Sequence, residues 1–274
     1  MLKQMPTGAQ LLVLPINRTV VTAGYKNAAY ERQMGFPHYG VDSYSEAGDA
    51  TVYAMGEGTV VAAGLDGTDG DYSGMGWVTV IRYNGVYLPA MDRVQDLVAT
   101  TFHHQAGSLR VKEGDRVTKD TVIGRYGNTG GTTVGGKRMG IHLHLQLDVD
   151  VAHPLHCYGI SGRTSRILKG GTVDSTLNPF QVLTRKDSSP DRQTIILQSA
   201  GWAEDWSKLT RYEDLLAQES TPSGSDAACE LRVQQAQVEA ARLRKALEQE
   251  TQRADDATVR LQQLLTALEQ LVAR

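Results

Sequence analysis

The sequence predicts a mainly β domain followed by an α-helical coiled coil, and three observations carry that reading. From about residue 8 to residue 185 the chain is rich in glycine and holds short β-branched runs, "GTVVAAG", "WVTVIRY", "LVATTFHH" and "VIGRYG", set off by the turn-forming stretches "DGTDGDYSG" and "NTGGTTVGG". No apolar period of 3.6 residues persists in that stretch long enough for a major helix. From Asp226 onward Gly and Pro disappear, and Ala, Gln, Glu, Arg and Leu take over.

The tail repeats every seven residues. Val233, Ala240, Leu247, Ala254, Leu261 and Leu268 fall on one seam position, and Ala236, Leu243, Glu250, Ala257, Leu264 and Leu271 on its partner. A lone helix cannot bury such a stripe, so residues 226–274 are expected to pair in a coiled coil, with self-association as the favoured outcome. The alanines in the seam make the contact shallow and leave dimer and trimer both open, and a different partner helix as well. Between the two regions, residues 186–225 read as a connector in which "WAEDWSKLTRYEDLLAQ" forms a short helix bounded by "KDSSPDRQ" and "ESTPSGSD".

Composition narrows the function. The net charge is −3, and no long Lys/Arg run breaks the balance, so nucleic acid is not an expected partner. Two cysteines, Cys157 and Cys229, lie in regions of different character, which argues for free thiols and against a disulfide framework or a thiolate metal site. The opening "MLKQMPTGAQLLVLPINRTV" has one lysine and an apolar patch interrupted by Pro15 and Asn17, so neither a signal peptide nor a membrane span is expected.

Five of the seven histidines fall in three tight groups. In "GIHLHLQLD", an extended strand puts His142, His144, Gln146 and Asp148 on one side and Leu143, Leu145 and Leu147 on the other. The leucines suit a core, and the face bearing two imidazoles suits a cleft. "HYGVD" supplies His38 and Asp42, with a glycine between them that permits a sharp turn. "TTFHHQ" supplies His103 and His104. A catalytic zinc takes about three protein ligands, His nitrogen and carboxylate oxygen, and keeps one position for water. His38, Asp42 and one of the His142/His144 pair meet that need. No H-E-x-x-H helix offers a glutamate base, so proton transfer falls to the remaining histidines: one of His103 and His104, and whichever of the pair is not a ligand.

These blocks together, "HYGVD", "VYAMGEGTVVAAG", "VTVIRY", "TFHHQ", "VKEGDRVTKDTVIGRYGNTGG" and "GIHLHLQL", resemble in order and spacing the lysostaphin/LytM-like zinc metalloendopeptidases that hydrolyse bacterial peptidoglycan. The resemblance covers about residues 15 to 150. It implies a compact antiparallel β-sheet peptidase domain, of the duplicated hybrid motif-like kind, over residues 8–185, with a groove across the sheet and one zinc ion on its floor. It implies His38, Asp42 and His144 as metal ligands, and His142 as a catalytic histidine. The family's other catalytic histidine follows an aromatic residue and one further residue, which points to His104, with His103 as runner-up. On a regular strand only one of these two can face the zinc.

The sequence departs from the family in places: Phe102 and Gln105 replace a usual tyrosine and leucine, Ile141 replaces a proline, and "VYLPAMDRVQDL" precedes the histidine pair as an insertion. A second insertion, residues 149–173, carries His153, His156 and Cys157. It lacks an evident carboxylate or fourth ligand for a closed metal site and reads as a groove wall or lid. The expected protein is thus a zinc endopeptidase cutting stem peptides or cross-bridges of peptidoglycan. Made without a signal peptide, it is expected to reach the wall as a phage or prophage lysin, after lysis or on a particle. The alternatives are a non-catalytic cell-wall binding or hydrolase-activating module, and a virion-mounted structural component.

Overall fold

The structure is a computed structural model and describes residues 6, 8–67, 74–131, 133–134, 137–152, 167–168, 170–187 and 192–219. The chain divides into two units, residues 1–221 and 222–274. The second unit, with the expected coiled coil and Cys229, lies outside the described residues, as do His153, His156 and Cys157.

Fifteen short strands carry the described chain: β1 (Leu12–Val13), β2 (Thr19–Ala23), β3 (Val41–Ser45), β4 (Thr51–Tyr53), β5 (Gly58–Leu65), β6 (Trp77–Leu88), β7 (Arg93–His104) and β8 (Arg116–Val117). There follow β9 (Val122–Arg125), β10 (Thr133–Val134), β11 (Lys137–Arg138), β12 (Leu143–Asp148), β13 (Thr176–Leu177), β14 (Leu183–Thr184) and β15 (Ile196–Trp202). Two helices accompany them, α1 (Ala28–Met34) and α2 (Tyr212–Glu219). The main sheet runs β15-β2-β3-β12-β7-β6-β5-β8, with β13 added to β12. Its pairings are antiparallel except for β15, which lies parallel to β2 at the edge. A mainly β architecture is what the turn-rich text predicts.

The two faces of β12 divide as its alternation demands. Leu143, Leu145 and Leu147 are fully buried and join Leu97, Ala99 and Ile81 of the neighbouring strands in the main core. The small antiparallel pair β4–β9 closes that core through Val52, Ala54 and Ile123. Removing each such leucine from water contributes about 2 kcal/mol, enough for this face to set the strand's orientation. On the opposite face a second apolar cluster forms from Val78, Val80, Val98 and Phe102, covered by Leu168 with Val151 and Ile167 of the second insertion. The described part of that insertion is therefore packed against the sheet.

The first insertion lengthens the β6–β7 hairpin, and its Tyr87 packs with Leu11 and with Leu215 of α2. The segment expected to be a connector does more than connect. β15 extends the sheet, while Trp206 and Leu209 enter the main core and are almost wholly buried. The short helix lies inside it, as α2. A strand that can add to an open edge and a tryptophan that can fill a core leave no periodic trace in so short a segment.

Candidate metal centre

The site is built around β12. Its neighbours are β3 on one side and β7 on the other, and the register sets His144 opposite both Asp42 and Phe102. Cross-strand partners on one face lie within side-chain reach, so the pairing alone brings His144 to Asp42. His38 arrives from the loop before β3. Asn27 caps α1 by accepting from the N–H groups of Ala29 and Tyr30, and Gly35, at φ 82°, ends it in a left-handed turn. The chain then returns beneath Tyr30, whose ring stacks on His38 with centroids 4.4 Å apart.

Three lone-pair atoms converge. His38 Nε2 lies 3.1 Å from His144 Nδ1 and 3.2 Å from Asp42 Oδ1, and His144 Nδ1 lies 2.9 Å from the same Oδ1. Among the described residues these three form a group that can hold a metal ion. His38 Nδ1 donates to the Gly24 carbonyl at 2.9 Å, which leaves Nε2 as the atom offered to the cluster. Gly40, expected to permit a sharp turn, has a different task. It is not in the left-handed region, but a Cβ there would stand 2.3 Å from the Leu145 carbonyl oxygen and 2.7 Å from His144 Nε2. Only a residue without a side chain lets this loop approach β12 so closely.

The electrostatics fit a cation. Burial acts to raise the Asp42 pKa, yet His38, His142 and the hydrogen bonds from His144 and His38 hold it well below the usual carboxylate range. Burial lowers the His38 pKa and Asp42 raises it, with a net increase, whereas burial brings His144 down to about 4 despite Asp42. A divalent cation would balance the Asp42 charge and engage all three donors at once, and two imidazole nitrogens with one carboxylate oxygen are donors that suit zinc.

Two further histidines border the cluster. His142 Nε2 is 3.6 Å from Asp42 Oδ1, its Nδ1 faces the Gly140 carbonyl at 2.7 Å, and its backbone N–H donates to Gly127. His103 is buried with its ring centroid 5.1 Å from His142 and 6.2 Å from His144, and its Nδ1 lies 2.8 Å from the Thr129 carbonyl oxygen. Burial pushes its pKa down to about 3, helped by the neighbouring His142 and His144, so the ring is neutral near neutral pH.

His104 is not brought here, which corrects its expected position. Its Nε2 is 2.8 Å from Thr101 Oγ1, and a Cβ on Gly124 of β9 would stand 2.9 Å from its Nδ1, so the ring points to the β4–β9 side of the sheet. Burial lowers its pKa to about 4 against a hydrogen bond with the Arg125 backbone. The cause is a bulge. His103 takes φ 63°, and the β6–β7 register shifts between Trp77 and Thr79, so the extra residue turns His103 toward the cluster and His104 away. Sequence reasoning also missed Tyr30, Gly24 and Thr129, which act through a ring face or a carbonyl and leave no spacing signal. The glycines around Thr129 are the one hint of a close backbone approach.

The site is thus a His-Asp-His cluster able to hold a metal ion, with two further histidines beside it, on a β domain. Residues 36–154 match the family model described as peptidase family M23. No curated protein matches the chain. Similar solved structures include a zinc-containing peptidase from Vibrio cholerae, at 24% identity over 51% of this chain and 37% of that one, with a TM-score of 0.37. The catalytic domain of lysostaphin from Staphylococcus simulans shares 21% identity over 60% of this chain and 89% of its own, TM-score 0.35. That of the prophage-encoded M23 protein EnpA from Enterococcus faecalis shares 21% over 61% and 95%, TM-score 0.37. The chain thus spans little more than a third of the length of the Vibrio peptidase. Among the described residues no helix is long and apolar enough to cross a membrane.

Proposed function

We propose that this domain is a zinc-dependent endopeptidase acting on peptide bonds in the stem peptides or cross-bridges of bacterial peptidoglycan. The observation that carries the reading is the convergence of His38, Asp42 and His144 on one point with His142 and His103 beside it. A zinc ion held there would polarise the scissile carbonyl and make a bound water acidic. The chain's own part is to place two imidazoles at that point. Each gives its Nδ1–H to a backbone carbonyl, His142 to Gly140 and His103 to Thr129, so each offers Nε2 to the reaction. One takes a proton from the attacking water on its Nε2 lone pair and passes it to the leaving nitrogen as the C–N bond breaks; the other, when protonated on both nitrogens, donates Nε2–H to the oxygen that becomes negative.

The competing reading is a binding or hydrolase-activating module. Such a role needs no histidine next to the metal ligands, whereas here both positions are filled. The heptad stripe of residues 226–274 supports self-association, which would join several active sites on one polymer. The test is a digest of purified walls from several bacteria by the full-length protein, with products identified by mass. New amine termini that vanish on chelation and return with zinc are the expected result. Intact walls in the presence of the zinc-loaded protein would reject the enzyme.

A further inference from the structure

The bulge that delivers His103 to the site is held by one residue that the reading above leaves unused. Thr129 lies between the ends of β6 and β7, almost wholly buried. Its hydroxyl donates to the His104 carbonyl at 2.6 Å and accepts from the Trp77 N–H at 3.0 Å, so it bonds to both strands where their register shifts. Its own carbonyl accepts the His103 Nδ1–H at 2.8 Å. Gly76, at φ 71°, makes the approach possible, since a Cβ there would come within 2.4 Å of both the Thr129 carbonyl carbon and Oγ1.

We propose that Thr129 is a positioning residue: its hydroxyl closes the bulge at His103 and its carbonyl fixes the ring that emerges. A non-glycine residue in the left-handed region is uncommon, and the bonds around His103 hold its backbone at φ 63°. One hydroxyl is both acceptor to the Trp77 N–H and donor to the His104 carbonyl, so it ties the two strands together at the bulge. The carbonyl selects the tautomer. With Nδ1–H donated to Thr129, the basic lone pair of His103 is on Nε2. This inference rests on the reading of His103 as one of the two proton-handling histidines.

The experiment uses the full-length, zinc-loaded protein with Thr129→Val, Thr129→Ala, Thr129→Ser and Gly76→Ala, the last pushing Thr129 outward while keeping its hydroxyl. With wall-peptide substrate, the Val, Ala and Gly76→Ala variants are expected to lose kcat by roughly 10- to 100-fold, the scale of a misplaced catalytic group, with KM little changed and zinc content intact. Thr129→Ser should retain most of kcat. A second readout needs no activity: in ring-labelled protein, the protected Nδ1–H signal of His103, assigned with His103→Gln, should persist in wild type and Thr129→Ser and disappear in Thr129→Val. Retention of kcat or of that signal in Thr129→Val overturns the proposal, as does a loss in which zinc, KM and melting temperature fall together. Should wild type itself cleave nothing, the enzymatic reading fails, and the ring signal still decides whether Thr129 holds His103.

Discussion

Phe102 on β7 and His144 on β12 face each other directly, ring centroids 5.0 Å apart, on the cleft side of the sheet. Strict alternation from Phe102 would send His103 to the core side and His104 to the cleft. The left-handed backbone at His103 reverses this, and the consequence is measurable.

His103→Ala is expected to lower turnover by about 10² or more while leaving zinc bound, the size of a lost general acid or base. His104→Ala acts differently: it empties a buried site and leaves Thr101 Oγ1 with one partner fewer, so it should cost on the order of 2 kcal/mol of stability. At temperatures where it is folded, it should turn over near the wild-type rate. Parallel thermal melts and kcat measurements separate the two, and a dead but fully stable His104→Ala would restore His104 to the site.

Metal content follows from the three donors. Purified wild type is expected to carry about one zinc per chain, and His144→Ala or Asp42→Ala none after dialysis. Gly40→Ala keeps every ligand yet drives a methyl group against His144 and the Leu145 carbonyl, so zinc affinity should fall by roughly 10- to 100-fold, as when a supporting partner is displaced. Elemental analysis and competition with a chelating dye read both effects. An unchanged affinity in Gly40→Ala would show that the loop can back away from β12.

Asp148 predicts a pH dependence outside the metal cluster. It is wholly buried, accepts from Gln146 Nε2 and Ser175 Oγ, each at 2.9 Å, and has Asp174 and Asp150 as charged neighbours. Burial raises its pKa from 3.8 to about 7, outweighing those two hydrogen bonds. Because the folded state holds this proton more tightly than the unfolded chain, the contribution is full below about pH 4 and is lost as pH rises through 7. On the order of 4 kcal/mol is at stake. Asp148→Asn cannot ionise, so its stability relative to wild type should improve steadily from pH 4 to pH 8 in urea titrations. A constant difference between the two proteins would mean that Asp148 does not titrate in this range.

Removing the tail after Ser225 deletes the seam from Val233 to Leu271. The shortened chain is expected to be monomeric, to keep its zinc, and to cleave small peptides at the full-length rate while acting more weakly on intact walls. Light scattering on both proteins gives the first result. A full-length chain already monomeric at micromolar concentration removes the avidity argument.

What the amino-acid sequence determined by itself is what depends on local spacing. Alternation on "HLHLQLD" separates imidazoles from leucines, and the four-residue step from His38 to Asp42 delivers two donors to one loop and strand, so the ligand set could be named through its resemblance to a family. The tertiary structure decided what depends on the approach of distant backbones. Whether His103 or His104 enters the cleft is set at a bulge closed by Thr129 and Trp77, each more than 20 residues away, and a one-residue slip there exchanges the two faces of a strand. Gly40 behaves likewise, its lack of a side chain being required by the carbonyl of Leu145 across the sheet and not by its own φ. The edge strand β15 completes the contrast, because an open strand edge offers backbone hydrogen bonds to any extended segment, and only the folded sheet shows which segment takes them.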